Sequence, residues 1–363
     1  MTAVAVLFWV SLGALVWTHV AYPLVASALA RVRTRPVRSG DALPTVTLII
    51  AAHNEESVIE RRIENLRALD YPADRLEIVV TSDASTDATE ELASRAGARV
   101  IQNPRGGKVA AQDRAVRDTA GDVVAFTDAN SSWAPDALRQ LVRAFSDPEV
   151  AYVCGRLDVQ ADDGRNKEGL YWRYELGVRA AESRIDSVTG GNGSIYAVRR
   201  ADYVEVDPRF GHDLSLPYVM VQHGRRAVYE PAAHAFEKAT PTTEDEYRRK
   251  VRMFEHCWAI VLEGKMLRRL RPLYFVEIVS HRHLRYASGL LHLVLLGTSI
   301  ALLGHGTVYA VFLGLQLGML LAALFGVGIA RYYVLVTWAT LQSLFNYLRH
   351  GVPATWDVAE GTR

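Results

Sequence analysis

The stretch FTDANSSW, residues 126–133, carries the side chains of this sequence with the plainest chemical use. The apolar run Val123-Val124-Ala125-Phe126 stops at Thr127-Asp128-Ala129-Asn130, so a buried strand would deliver a carboxylate to a sheet edge, with an amide oxygen two residues on. Oxygen ligands of this kind suit a hard cation such as Mg2+ or Mn2+. The same residues can also start a polar turn or cap a helix. Two other apolar runs end alike. TVTLIIA (45–51) leads into His53-Asn54-Glu55-Glu56, and LEIVVT (76–81) into Ser82-Asp83-Ala84-Ser85-Thr86-Asp87. Asp87 with Glu90 has the spacing of a capping box. Carboxylates gathered on one rim repel unless a cation or hydrogen-bond donors offset them. A cation there points to a phosphate-bearing ligand held with a divalent metal.

The elements needed to bring these ends together are legible in the hydrophobic spacing. Residues 55–69 have helical periodicity through Val58, Ile63, Leu66 and Leu69, and further helices are predicted over 87–96, 108–119 and 135–146. Strands are predicted over 45–51, 76–81, 99–102, 122–127 and 150–154. This alternation predicts an α/β fold with a mostly parallel sheet and helices on both faces, its ligand off the carboxyl ends of the strands. Residues 51–56 read AAHNEE, without the Gly-rich turn of a dinucleotide-binding oxidoreductase. Gly106-Gly107-Lys108-Val109 has neither the spacing nor the hydroxyl of a nucleoside-triphosphate P-loop.

The ends of the chain differ from its middle. Residues 3–30 contain one His and no formally charged group, long enough for a span of about 20 residues. The n-region MTA lacks the positive charge of a signal peptide. Arg31, Arg33, Arg35 and Arg38 follow at once, placing the chain beyond the helix in the cytoplasm by the positive-inside rule. The predicted organisation is an anchor at 1–30, a cytoplasmic domain at 31–250 and an amphipathic interfacial region at 251–285. A transmembrane hairpin at 286–330 and a last helix with tail at 331–363 complete it. Gln342, Ser343 and Asn346 leave 332–348 open between spanning and lying at the interface. A net charge of +1 excludes nothing but a strongly basic nucleic-acid binder. The two cysteines, Cys154 and Cys257, form neither a disulfide framework nor a metal-ligand spacing. Only five of the 41 basic residues are Lys, an arginine bias that hints at a GC-rich bacterial genome.

AAHNEE, SDASTD, NPRGGK and GDVVAFTDANS, in that order, resemble the membrane-bound bacterial branch of the inverting glycosyltransferases of family 2, over about residues 45–285. The resemblance implies a GT-A nucleotide-sugar-binding fold flanked by N-terminal and C-terminal transmembrane helices. It places Asn54 and Glu55 by the nucleotide, Asp83 on the base or ribose, and Lys108 in a short Gly-Lys motif at the donor site. Asp128 takes the first place of the family's Asp-x-Asp metal motif; the second place is Asn130, so Asp128 and Asn130 are the implied ligands of Mg2+ or Mn2+.

Downstream, SVTGGNGSIYAVRR (187–200) resembles the Gly-rich segment beside the acceptor, giving Gly190, Gly191, Asn192 and Gly193 as acceptor-binding, before a strand at 194–198. Phe210-Gly211-His212-Asp213-Leu214 stands where the family carries its general base, usually in an acidic pair; Asp213 is the implied base, with Asp207 or Glu205 as substitutes. VYEPAAHAFEKAT (228–240) fits the strand and loop that follow. Where processive members carry Gln-x-x-Arg-Trp, only Arg252 survives, and Arg249 and Arg252 are the implied diphosphate contacts. The implied activity moves a sugar from a nucleotide-sugar, UDP-linked by family frequency, to a lipid-linked or polysaccharide acceptor, forming a β-bond in envelope or exopolysaccharide synthesis at the bacterial inner membrane. Implied partners are membrane lipids and an exporter or a second copy of the chain, with no nucleic acid. Two alternatives stay open: a polyprenyl-phosphate sugar transferase, and a non-catalytic partner of an export complex.

Overall fold

The computed structural model describes residues 1–160, 169–238 and 242–355. The chain divides into two compact units. One comprises Ala26–Pro241, Gly264–Tyr274 and the segment from Pro353; the other comprises Met1–Val25, Thr242–Glu263 and Phe275–Val352.

The first unit is α/β with a GT-A-like fold. Its chain runs β1 (Val46–Ala52), α2 (Ile59–Arg67), β2 (Leu76–Asp83), α3 (Thr89–Arg95), β3 (Arg99–Asn103), α4 (Lys108–Arg117), β4 (Val123–Asp128), β5 (Ser132–Trp133) and α5 (Ala137–Arg143). Then follow β6 (Val150–Gln160), α6 (Leu170–Ile185), β7 (Tyr196–Arg199), α7 (His212–Gln222) and β8 (Arg226–Lys238); α1 (Thr2–Val32) precedes them all. The eight strands form one sheet in the order β3-β2-β1-β4-β7-β6-β8-β5. β1 is parallel to both β2 and β4, and β2 to β3. β7 is inserted antiparallel between β4 and β6. The predicted parallel core is therefore present, and the strand expected at 150–154 runs on to Gln160 and pairs with β8, parallel.

Alternation along β1 explains the two helical layers. Val46, Leu48 and Ile50 join a core with Ile59, Ile63 and Leu66 of α2 and Leu138 and Leu141 of α5. Ile49 faces the other way, with Val124, Phe126, Tyr196 and Leu216. Leu48, Ile49 and Ile50 are fully buried, each worth about 1.5–3 kcal/mol. A slip by one residue would send this whole set to the wrong faces, so the register is held firmly. That register pairs Ala51 with both Thr81 and Asp128 and Ala52 with Ser82, which levels the carboxyl ends of β1, β2 and β4 on one rim.

The second unit is helical: most of α1, then α8 (Thr243–Glu263), most of α9 (Pro272–Tyr286), α10 (Ser288–Ala301), α11 (Thr307–Leu324) and α12 (Gly328–His350). Among the described residues two helices, Thr2–Val32 and Thr307–Leu324, are long and apolar enough to cross a membrane, each with mean hydropathy 1.9. The apolar run expected as the first leg of a hairpin forms α10, only 14 residues long, about 21 Å against a hydrocarbon core of about 30 Å. It reaches spanning length only together with α9, across a 64° bend. Phe8 and Leu15 of α1 pack on Leu295 and Leu302, and the Thr18 hydroxyl donates to the Ser280 carbonyl at 2.6 Å. Polar residues of α12 turn toward α8: Asn346 Nδ2 donates to Glu255 Oε1 at 2.7 Å, and Trp258 Nε1 to the Thr340 carbonyl at 3.1 Å.

Candidate active site

β4 ends as the sequence predicts, and Asp128 emerges at the rim with its side chain about a quarter exposed (27%). Lys108, the first residue of α4, places its ammonium on Asp128 Oδ1. Burial lowers the Lys108 pKa, but attraction to Asp128, Asp213 and Glu237 outweighs it and holds the ammonium above the ordinary lysine value. Behind Asp128, Arg62 is almost wholly buried; it donates to Thr127 Oγ1 at 2.6 Å and stacks over Trp133 at 5.5 Å. Burial pulls the Arg62 pKa down to about 9, opposed by Asp128 and Glu237, which leaves it cationic at neutral pH.

The Gly-rich segment reaches this pair from the other side. A methyl group on Gly193 would lie 3.4 Å from both Asp128 Oδ2 and Lys108 Nζ, so a bare glycine leaves room at the polar centre. Gly191 donates to the Asp213 carbonyl at 2.6 Å and accepts from Arg179 Nη2 at 3.0 Å. Gly190 is buried beside it. Asn192 is occupied inside the fold: Nδ2 donates to the Gly155 carbonyl at 2.7 Å and Oδ1 accepts from Ile195 N at 3.0 Å. It shapes this segment through those two bonds. Asp213, the second residue of α7, acts electrostatically on Lys108, Tyr152 and Tyr196. Lys108, Asp128, Gly193 and Asp213 are thus drawn together from four separate elements.

Asp83 behaves differently. Its carboxylate is 4% exposed and accepts from Gly106 N at 2.7 Å, Gly107 N at 3.0 Å and Arg105 Nη1 at 2.9 Å. It builds the turn that presents Lys108. Gly107, at φ 90° and ψ 166°, lies in a region open only to glycine, and any side chain there would also overlap the Ala354 carbonyl of the C-terminal segment. Asn54, with φ 55°, accepts from Thr86 N at 2.8 Å through Oδ1, and Glu55 N donates to Thr89 Oγ1 at 2.7 Å. Both residues tie the β1 end to the loop after β2. The predicted capping box is not formed: Asp87 accepts from Thr89 N at 3.0 Å and from Glu56 N at 3.2 Å, while Glu90 accepts from Gln102 at 2.5 Å.

The substitute acids stand elsewhere. Asp207 pairs with Arg209 at 2.8 Å, and Glu205 with Arg117 at 2.5 Å, half exposed. Arg249 and Arg252 lie on α8, so the α/β unit by itself does not contain them; Arg249 pairs with Glu246 at 3.0 Å. Residues 239–240 of the expected strand and loop, and the tail beyond 355, lie outside the described residues.

Two site residues escaped the sequence reading. Glu237, on β8, bonds the Ser194 hydroxyl next to Gly193. It lines, with Asn130, Ser131, Arg62 and Lys238, a polar cleft of about 230 Å³. Arg62 had a usable signal: it lies between Ile59 and Leu66 on the buried stripe of α2, where a charge is unexpected. Glu237 had only the alternation of a strand.

The donor set fits a hard divalent cation. Asp128 supplies a carboxylate, Asn130 an amide oxygen, and Glu237 a second carboxylate on the wall of Asn130's cleft. Among the described residues no three His, Cys, Asp or Glu side chains converge. A cation here would therefore draw most ligands from a diphosphate and water.

Residues 47–206 match the model of glycosyl transferase family 2. The chain carries a glycosyltransferase family 2 domain. A β-monoglucosyldiacylglycerol synthase of Synechocystis is 33% identical over 44% of this chain and 36% of its own length. An N-acetylglucosaminyltransferase of Rhizobium meliloti is 28% identical over 75% of this chain and 70% of its own. The fold also recurs in a solved mannosyltransferase from Pyrobaculum calidifontis in complex with GDP-Man and Mn2+. That structure has 22% identity and a TM-score of 0.74, covering 95% of this chain and 97% of the other.

Proposed function

We propose that this glycosyltransferase is a membrane-bound inverting enzyme. It moves a sugar from a nucleotide-sugar, UDP-linked in the first instance, to a lipid-linked or polysaccharide acceptor, in envelope or exopolysaccharide synthesis. The observation that carries the reading is the Lys108–Asp128 pair at the sheet rim, with Gly193 beside it and Asp213 within its field. The acceptor hydroxyl oxygen attacks the anomeric carbon on the face opposite the diphosphate. Its proton passes to a carboxylate oxygen of Asp213, and the bond to the diphosphate breaks with its electron pair on the leaving oxygen. The Lys108 ammonium stabilises that charge, and Asp128 keeps the ammonium in place. Asp128, Asn130 and Glu237 would hold a Mg2+ or Mn2+ ion, which supplies Lewis-acid neutralisation of the diphosphate when bound. From an α-linked nucleotide-sugar the product is β-linked, because one displacement inverts the carbon.

Membrane attachment of the multi-pass kind, at the bacterial inner membrane, is supported by the surface of the helical unit. No side chain of α11 is fully buried, although the helix is almost wholly apolar, and such a helix needs lipid or another apolar surface around it. The relatives named as a glucosyldiacylglycerol synthase and an N-acetylglucosaminyltransferase favour lipid and glycan acceptors. The test is nucleotide release from a panel of UDP- and GDP-sugars by the full chain in detergent, with Mg2+ or Mn2+, with and without bacterial lipid extract. Release from one donor, raised by lipid and abolished in Asp128→Ala and Asp213→Asn, is expected. A folded protein that binds and cleaves none of the panel would overturn the reading.

A further inference from the structure

His212 directly precedes Asp213 but is only 2% exposed, whereas Asp213 is partly open. Its imidazole joins a buried polar chain. Nδ1 lies 3.2 Å from the Tyr196 hydroxyl, and Nε2 lies 3.3 Å from Asp113 Oδ1 and 3.3 Å from the Tyr203 hydroxyl. The Tyr203 hydroxyl in turn donates to Asp113 Oδ1. Burial raises the Tyr203 pKa, and the neighbouring Asp113 charge raises it further, so the phenol keeps the proton it donates. Phe126 packs edge-on against the imidazole with centroids 5.6 Å apart, and Tyr203 with centroids 5.8 Å apart.

The placement of Asp113 gives this chain a use. Asp113 is 5% exposed and sits on α4, the helix that begins with Lys108. His212 is the first residue of α7, the helix that presents Asp213. The polar chain therefore runs, inside the fold, from the helix of the charge-stabilising cation to the helix of the base. Apolar side chains of equal volume would also hold two helices together. What they lack is direction: a fully bonded polar chain admits one arrangement, and leaving one member unpaired is costly.

We propose that Asp113 and His212 are positioning residues of the transfer reaction, clasping the start of α7 to α4 so that the Asp213 carboxylate faces the Lys108–Asp128 pair. The proposal rests on Asp213 being the base. It does not need His212 to reach substrate or to change protonation during turnover.

The test uses the full chain in detergent with the donor selected by the panel and the matching nucleoside diphosphate as binding probe. Asp113→Asn, His212→Gln, the double variant and Asp213→Asn are compared for kcat, nucleotide affinity and thermal midpoint. Each single change of the clasp is expected to lower kcat about 10²-fold, the effect of a displacement near 1 Å. Nucleotide affinity stays unchanged, and the double variant is no slower than the slower single, because losing either partner already releases the helix. Wild-type kcat in both singles, losses that multiply in the double, or a fall in kcat matched by equal falls in affinity and thermal midpoint would each overturn the clasp. Asp213→Asn separates the two ideas. If that variant retains transfer, the base assignment fails and the positioning role with it. If it is inactive while Asp113→Asn and His212→Gln run at full rate, only the positioning role fails.

Discussion

Asp83 and Asp128 end β2 and β4, the strands on either side of β1, at one sheet rim, yet the fold treats them in opposite ways. Asp83 is 4% exposed and saturated by two backbone N–H groups and an arginine of a single turn. Asp128 keeps about a quarter of its side chain open and is met by one ammonium. A carboxylate whose lone pairs are filled by its own chain serves the turn, while one met by a single ammonium keeps lone pairs for a further partner. The same contrast separates Asn192, used up inside the fold, from Gly193 beside it, which leaves space at the charged pair.

The sharpest way to break the comparison is at its open side. Asp213→Asn is expected to lower kcat about 10²–10⁴-fold, the range for a positioned general base, with nucleotide binding retained in a calorimetric titration. Lys108→Met is next, at about 10²–10³-fold in kcat, as for loss of one oxyanion-stabilising donor. It should also weaken nucleoside-diphosphate binding, and steady-state kinetics against donor concentration reads both. On the closed side the readout changes. Asp83→Ala strands buried donors, each costing about 1–3 kcal/mol, and Gly107→Ala forces a glycine-only conformation at about 1–3 kcal/mol. Both should lower the denaturant midpoint before any effect on kcat in the fraction that remains folded. If Asp83→Ala instead loses donor binding at full stability, the two carboxylates are alike after all.

The smallest effect lies at Asp87. Burial alone would raise its pKa, but the hydrogen bonds from Thr89 and Glu56 outweigh burial and hold it below the ordinary carboxylate value. A depressed carboxylate stabilises fully above its unfolded pKa of about 3.9, and the contribution fades as pH falls through the native value. Asp87→Asn should therefore cost under about 1.5 kcal/mol at pH 7 in chemical denaturation. The difference from wild type should shrink on acidification toward pH 3, and a difference that stays constant would mean that Asp87 acts through shape alone.

Much of the α/β unit could be read directly. The strands at 46–52, 76–83 and 123–128 fall where short apolar runs meet polar ends, because burial on both faces and a solvent edge leave that pattern in a chain. Motifs singled out Lys108, Asp128 and Asp213; in the structure Gly193 lies against the Lys108–Asp128 pair, and Asp213 acts on Lys108 electrostatically. The expected capping box at Asp87 failed because its carboxylate accepts from Thr89 N, the first residue of α3, and from Glu56 N after β1 instead of from the N3 amide. β7 lies antiparallel within the sheet, since strand order depends on contacts between distant segments. Glu237 went unnoticed for the same reason: a glutamate in an alternating strand looks solvated until Ser194 and the cleft of Asn130 are placed beside it.

Taken alone, the chain's residues determine which segments are apolar, which strand ends are polar, the kind of chemistry those ends can do and the resemblance that names the activity. These are local properties, set by side-chain type and spacing. Tertiary structure alone decides that Asp83 is consumed by a turn while Asp128 stays open, that Arg62 stands as a buried cation behind the candidate site, and that Asp113 and His212, 99 positions apart in the chain, meet inside the fold next to Asp213. Pairing and burial are properties of the assembled neighbourhood, and they settle which of several equal-looking carboxylates is left free to react.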